Sequence, residues 1–383
     1  MTTTEPANEP DWPALRELFP VLKEYAYFGW AATSPLSTRV ADAMLRHVSE
    51  TRDEGAARYR DWYQTYEAVR REAGVLGGAS ADEIALLKNT SEGLSTVAFG
   101  FAWKSGDNLL LPRGEFPANL YPWLALRERG VEVRRIEPDA QGRFTAADVE
   151  RLMDDRTRLV ALSWVNYSTG FRVDLRAIGE LCRSRGIFFC VDVIQGLGVL
   201  PLDVAAMRID AFCADGHKWL CAPEGLAVFY LRHEWLDRVQ PASRGWWCVT
   251  QPARFDLEDQ PLADTARRFE CGTLPTTNAY GMREALALVN ATGIEHIAAR
   301  VHELTAKLIH RLRENGAEVV RADGNDEWSG IVSFGVPGQD PRKLALELER
   351  RKIIVTPRGG RLRAAVHAWN DEGDLARLLK ALF

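Results

Sequence analysis

No stretch of this sequence stays apolar for the ~20 residues that a bilayer-spanning helix needs. The opening MTTTEPANEPDWP also lacks the charged-then-apolar order of a signal peptide. Basic residues form no block or stripe: 48 Lys and Arg are interspersed with 53 Asp and Glu, for a net charge of −5. That balance argues against nucleic acid and against a membrane surface as partners. Cysteine is sparse. Cys182, Cys190, Cys213, Cys221, Cys248 and Cys271 are scattered without paired metal-ligand spacing, most of them inside apolar runs. They read as buried reduced thiols rather than disulfides or metal ligands, which points to a cytoplasmic protein without a metal site. Internal repeats and low-complexity segments are absent too, which sets aside solenoids and disordered chains.

What is present is a chain of 383 residues, 46% hydrophobic and 26% charged, so it folds and is too long for one small core. A helical pattern over 39–75 comes first. Short apolar segments at 84–87, 108–111, 159–164, 187–191, 211–214 and 227–230 then alternate with helical patterns at 94–103, 120–129, 146–154 and 175–185. Such alternation predicts an α/β fold, a mostly parallel sheet between helices. Past Leu231 the rhythm breaks at Arg244-Gly245-Trp246-Trp247, and a long helical pattern over 278–315 follows. Strands are expected at 317–321, 330–336 and 353–356, with helices at 342–351 and 372–382. The expected division is a large α/β domain over 31–277 and a smaller C-terminal α+β domain over 278–383. Residues 1–30 would form a segment packing beside the smaller domain.

Three motifs lie where apolar segments end. Lys218, in Gly216-His217-Lys218-Trp219, follows the apolar run that closes at Cys213. That places it near the sheet edge where α/β proteins bind ligands. Asp192 directly follows five apolar residues in Ile187-Phe188-Phe189-Cys190-Val191, and a buried carboxylate there needs a partner. A protonated pyridine nitrogen would supply one, and Gln195, three residues on, could donate to the ring's phenolic oxygen. Third, Asn89-Thr90-Ser91-Glu92-Gly93 opens a helical pattern, where free N–H groups and hydroxyls suit a phosphate. Each motif alone also fits a turn, a cap or a solvated loop. Their order along the chain is the specific signal.

That order resembles the fold-type I enzymes that use pyridoxal 5′-phosphate (PLP). Within them the chain is similar to the class V aminotransferase superfamily, which includes cysteine desulfurases, isopenicillin N epimerase and kynureninase. Glu115-Phe116-Pro117-Ala118-Asn119, Phe269-Glu270-Cys271-Gly272-Thr273 and Leu362-Arg363-Ala364 extend the likeness from about Tyr27 to the C-terminus. The resemblance implies a Schiff base between PLP and Lys218, with Asp192 on the ring nitrogen and Gln195 on the ring oxygen. Thr90, Ser91 and His217 would hold the phosphate, and Phe116 would stack on the ring. Gly272 and Thr273 would reach the phosphate of a neighbouring subunit, implying a homodimer. Arg363 would bind the carboxylate of an amino-acid substrate, and Asn166 or Tyr167 would contact it too.

Three departures bear on the reaction. Cysteine desulfurases carry a nucleophilic cysteine on a loop just before the carboxylate-binding arginine, but here Thr356-Pro357-Arg358-Gly359-Gly360-Arg361 is short and has none. Phe116 stands where they have a histidine, and phenylalanine cannot move a proton. Asp215 replaces a phosphate-binding serine, and a carboxylate there must turn away or find a partner. Lys218 is then the one assured acid–base group. Transamination ranks first as the family default, β-elimination by a carbon–sulfur lyase next, and kynureninase-like or epimerase chemistry lower. A non-catalytic PLP-binding protein is the alternative of a different class. Of the twelve tryptophans, Trp164, Trp219 and Trp369 adjoin the motifs, and any that lined the pocket would favour a bulky or apolar substrate.

Overall fold

The computed structural model describes residues 9–320 and 326–383. The first eight residues of the N-terminal segment, and the last residue of the strand expected at 317–321, lie outside them. Thirteen strands appear among the described residues. They are β1 (Ala26–Tyr27), β2 (Ile84–Leu87), β3 (Asn108–Pro112), β4 (Glu132–Ile136), β5 (Thr157–Ser163), β6 (Phe188–Asp192), β7 (Ala211–Asp215) and β8 (Ala227–Leu231). Toward the C-terminus follow β9 (Glu318–Val320), β10 (Ile331–Gly335), β11 (Ile353–Ile354), β12 (Thr356–Arg358) and β13 (Arg361–Ala365).

Seven strands form the central sheet in the order β2-β8-β7-β6-β5-β3-β4. The run β4-β3-β5-β6-β7 is parallel throughout, and β8 is antiparallel to both of its neighbours. Strand β6 shows why these residues make this sheet. Its side chains alternate, with Phe188 and Cys190 in one apolar cluster and Phe189 and Val191 in the other. Burial on both faces turns a strand into a continuous apolar run, which is the mark of a parallel sheet covered by helices. The alternation stops at Asp192, Asp215 and Ser163, all at the carboxyl ends of their strands. The parallel layout brings these ends to one edge.

A second, antiparallel sheet runs β12-β13-β10-β9. Its apolar cluster joins Val332 and Phe334 to leucines of the helices Ile294–Glu314, Pro341–Arg350 and Glu372–Leu382. Strand β1 pairs in parallel with β11, and a bridge from Gly29 to Ala365 continues that contact.

Several elements differ from the sequence expectation for visible reasons. The helical pattern over 39–75 splits at Gly55, with φ 60°, into Thr38–Glu54 and Tyr59–Gly77. The pattern over 278–315 splits at Gly293, with φ 86°, into Thr276–Thr292 and Ile294–Glu314. Both glycines adopt a backbone that other residues resist. Strand β4 lies at the sheet edge and carries Glu132, Arg134 and Arg135, so it has no apolar run to reveal it.

One buried ion pair ties the segment after the Trp-rich stretch to the sheet. Glu270 accepts from Arg70 Nη2 at 2.6 Å, from the Leu86 N–H of β2 at 2.8 Å and from Trp247 Nε1 at 3.0 Å. Removing the acid leaves a buried guanidinium whose remaining acidic partner is the solvent-exposed Glu67. Glu270→Ala is expected to lower stability by roughly 3–5 kcal/mol, read from the midpoint of urea unfolding. A shift below about 1 kcal/mol would show that the network contributes little.

Candidate active site

The carboxyl ends of β6 and β7, the start of the helix Thr90–Gly100 and the hairpin β12–β13 surround one cavity of about 310 Å³. At its helix end, Asn89 caps the helix by accepting from the Glu92 N–H at 2.9 Å. The first amides of a helix have no partner within it, so those of Thr90 and Ser91 remain available to an anion. Gly93 lets this helix lie close against β7: a Cβ there would stand 2.4 Å from Cys213 Sγ. Thr90 is buried, and its Oγ1 accepts from the Asp215 N–H at 3.0 Å. Asp215 Oδ1 faces His217 Nδ1 at 3.0 Å, without hydrogen-bond alignment. The carboxylate thus has an imidazole for a neighbour.

Deeper in the cavity lie two buried groups of opposite charge. Burial pushes the Lys218 ammonium down to about 8, against the opposing pull of Asp192. Burial likewise pushes Asp192 up to about 6, opposed by the Ile194 N–H, 3.0 Å from Oδ1, and by Lys218. Lys218 Nζ sits 5.4 Å from the centre of the Phe116 ring. Gln195 is held at both ends of its amide: Nε2 donates to Ala31 O at 3.1 Å, and Oε1 accepts from Trp219 Nε1 at 2.8 Å.

The turn that carries Lys218 is braced from three sides. The Cys221 N–H donates to Lys218 O at 2.9 Å, with Cys221 at φ 55°, a strained value for a residue with a side chain. The Ser34 N–H donates to His217 O at 2.7 Å. His367 Nε2 lies 3.1 Å from Trp219 O, and its ring stacks on Trp219 and Trp369. Complete burial pushes the His367 imidazolium down to about 3, so the ring is neutral near pH 7.

At the far end Arg363 is buried with no acid beside it among the described residues. It donates to Tyr167 O at 2.7 Å and to Thr356 Oγ1 at 3.2 Å, and burial pushes it down to about 10, with Arg358 adding to the effect. Tyr167 lines the cavity, whereas Asn166 does not. The Asn166 side chain accepts from the N–H groups of Ser168 and Thr169 and so holds its own turn.

Of the residues expected from sequence, Thr90, Ser91, Phe116, Asp192, Gln195, His217, Lys218 and Arg363 therefore share one cavity. Gly272 and Thr273 lie away from it, and no tryptophan lines it. Sequence reasoning missed Ala31, Ala32, Thr33 and Arg358 as lining residues. It also passed over Glu115, which accepts from the Ser163 N–H at 2.8 Å and from the Ser163 hydroxyl. Burial pushes Glu115 up to about 7 despite those two donors. Only Arg358, next to a two-glycine turn signal, had a local cue.

These residues fit PLP. A helix start with free amides and hydroxyls suits the phosphate, a buried carboxylate with a single protein donor suits the ring nitrogen, and a low-pKa lysine suits the aldehyde. Residues 26–378 match the family described as Aminotransferase class-V. The chain belongs to that family. It is 28% identical to a probable cysteine desulfurase of Methanothermobacter thermautotrophicus, over 96% of each chain. Among solved structures it resembles a C-DES mutant with glycine covalently linked to the PLP cofactor, with a TM-score of 0.91 and 25% identity over 97% of this chain and 99% of that one. It also resembles the cystine C–S lyase C-DES in complex with its product cysteine persulfide, with a TM-score of 0.89 and 25% identity over 95% and 98%. The protein is a PLP-dependent enzyme of fold type I, an aminotransferase or lyase.

The neutral amine is the nucleophile toward an aldehyde, and its fraction grows as pH rises through the pKa. Apoprotein should therefore capture PLP at a rate that climbs through pH about 8, followed by visible absorbance. Lys218→Ala should show no such phase. A wild-type rate still climbing steeply above pH 10 would mean that Lys218 is not depressed.

Proposed function

We propose that the enzyme breaks the carbon–sulfur bond of a sulfur-containing amino acid by β-elimination, without forming a protein persulfide. The observation that carries this reading is the chain-long likeness to a C–S lyase, combined with a cavity whose hairpin offers Arg358 and no cysteine. When bound, PLP supplies an electron-withdrawing ring that stabilises the charge left by loss of the α-proton. Arg363 binds the substrate carboxylate through its guanidinium fork. Lys218, whose buried amine is pushed down to about 8, takes the proton from the α-carbon. The β-carbon–sulfur bond then breaks as the Cα–Cβ double bond forms, and hydrolysis gives a keto acid, ammonia and the thiol. Asp192 would keep the ring nitrogen protonated, Gln195 would face the ring oxygen, and Thr90, Ser91 and His217 would hold the phosphate. Phe116 would cover the ring without moving a proton.

Transamination needs only the same lysine, so it is the second reading. In domain terms, residues 31–277 would hold the cofactor, and residues 278–383, with the described part of 1–30 beside them, would supply Arg363. The working unit we infer is a cytoplasmic homodimer. Thr273 is exposed and follows the anchored Glu270, as a residue reaching a second subunit's phosphate would.

The deciding experiment incubates holoenzyme with L-cysteine and L-cystine. Pyruvate and ammonia should appear together with sulfide or a persulfide product, while the protein's six thiols stay unmodified by mass spectrometry. Stoichiometric conversion of the cofactor to its amine form with a keto acid would favour transamination, and a protein persulfide matching alanine release would overturn both readings.

Subunit sharing has its own test. Lys218→Ala subunits mixed with inactive Thr273→Ala subunits should regain activity, because one heterodimer site escapes both defects. No recovery despite proven exchange would assign Thr273 to its own chain.

A further inference from the structure

Arg358 lines the mouth of the cavity, and the proposed mechanism gives it no task. Its position follows from the tightest connection a hairpin can have. Strands β12 and β13 pair Arg358 with Arg361 across Gly359 and Gly360, whose φ values are 54° and 75°. Two consecutive positive φ values are what a two-residue turn matching strand twist requires. Gly359 is also pressed against the Tyr167 segment: a Cβ there would lie 2.5 Å from Ser168 Oγ. Side chains opposite one another, or two residues apart, share a face of a hairpin. The register therefore puts Thr356, Arg358, Arg361 and Arg363 on one face.

Charge bookkeeping then singles out the mouth. Asp215 faces His217, and Asp192 shares the cavity with Lys218 and would take the ring nitrogen. No acidic side chain bonds to Arg358 or Arg363 among the described residues: Arg358 donates only to its neighbour Pro357 O, and Arg363 to Tyr167 O and Thr356 Oγ1. Each of the two also disfavours the charged form of Lys218. The PLP phosphate belongs at the opposite, helix-start end. One substrate carboxylate on Arg363 would leave Arg358 unanswered.

We propose that Arg358 is a specificity-determining residue that selects amino acids bearing a second anionic group, a carboxylate or sulfinate, on the side chain. This rests on Arg363 anchoring the α-carboxylate, and it names the substrate class of the same site. The two guanidinium groups clamp the ligand at both ends, so a dianion gains a charge-assisted contact that a monoanion lacks.

The test is a binding measurement on holoenzyme that needs no turnover. Succinate and propionate are titrated at low ionic strength, with the cofactor's visible absorbance as readout. Succinate should bind about tenfold more tightly than propionate, and added salt should shrink the ratio, since the contact sits at a solvent-open mouth. Arg358→Gln should bring the ratio close to one, and Arg358→Lys, which keeps the charge, should retain much of it. Equal binding of the two acids by the wild type, or an unchanged ratio in Arg358→Gln, would overturn the proposal. L-Cysteine sulfinate should likewise outcompete L-cysteine in the wild type alone. A succinate preference without any carbon–sulfur cleavage would leave this inference standing while the lyase reading fell. Cleavage without the preference would sink this inference alone.

Discussion

A carboxylate at the buried end of a parallel strand organises this molecule. Asp192 is where β6 stops alternating between two apolar clusters, and it is desolvated with one protein donor and a lysine at a distance. Left without a cation, such a group drifts toward its neutral form. The rest of the cavity can be understood as supplying what it needs. The Lys218 turn is held so that its amine points into the same space, and Gln195 spans from the Ala31 loop to Trp219 to keep that turn in register with β6. The chain thereby couples residues far apart in sequence to one ring-sized volume.

The N-terminal and C-terminal segments are part of that geometry. The Ser34 N–H bonds to the carbonyl of His217, and His367 Nε2 lies within hydrogen-bond reach of the carbonyl of Trp219. A positively charged imidazole in that stack would be costly, and burial keeps it neutral. Two of the tryptophans that adjoin the motifs serve this support. Trp219 and Trp369 pack around His367 in the core instead of lining the cavity.

Much of this was legible in the sequence because burial on both faces leaves a strong local mark. Strands β2, β3 and β5 to β8 are apolar runs, and β6 and β7 end in Asp192 and Asp215, so both the sheet and its functional edge could be read. The small unit was harder. Strand β13, Arg-Leu-Arg-Ala-Ala, reads as a motif rather than a strand because arginines occupy alternate positions on one of its faces. Ala31, Ala32 and Thr33 have no chemical signature at all; the pairing of β1 with β11 and the bonds from Gln195 to Ala31 O and from Ser34 to His217 O hold that loop at the site. Asn166 was a reasonable substrate contact from its neighbourhood, but an asparagine that caps its own turn cannot be told from one that faces a ligand by sequence alone. Glu115 hid for the opposite reason. It looked like a family marker, and only the fold shows its carboxylate against Ser163, the register partner of Asp192.

The two-glycine turn between β12 and β13 has one more consequence. A nucleophilic group that relays sulfur must first meet the substrate and then swing out to an acceptor, which requires a loop with slack. This hairpin has none: its two turn residues are fixed by backbone geometry, and Gly359 is pressed against Ser168. Any sulfur released in this cavity would have to leave as a small diffusible species. Its fate would then be set by the redox chemistry of the surrounding solution rather than by hand-over between proteins.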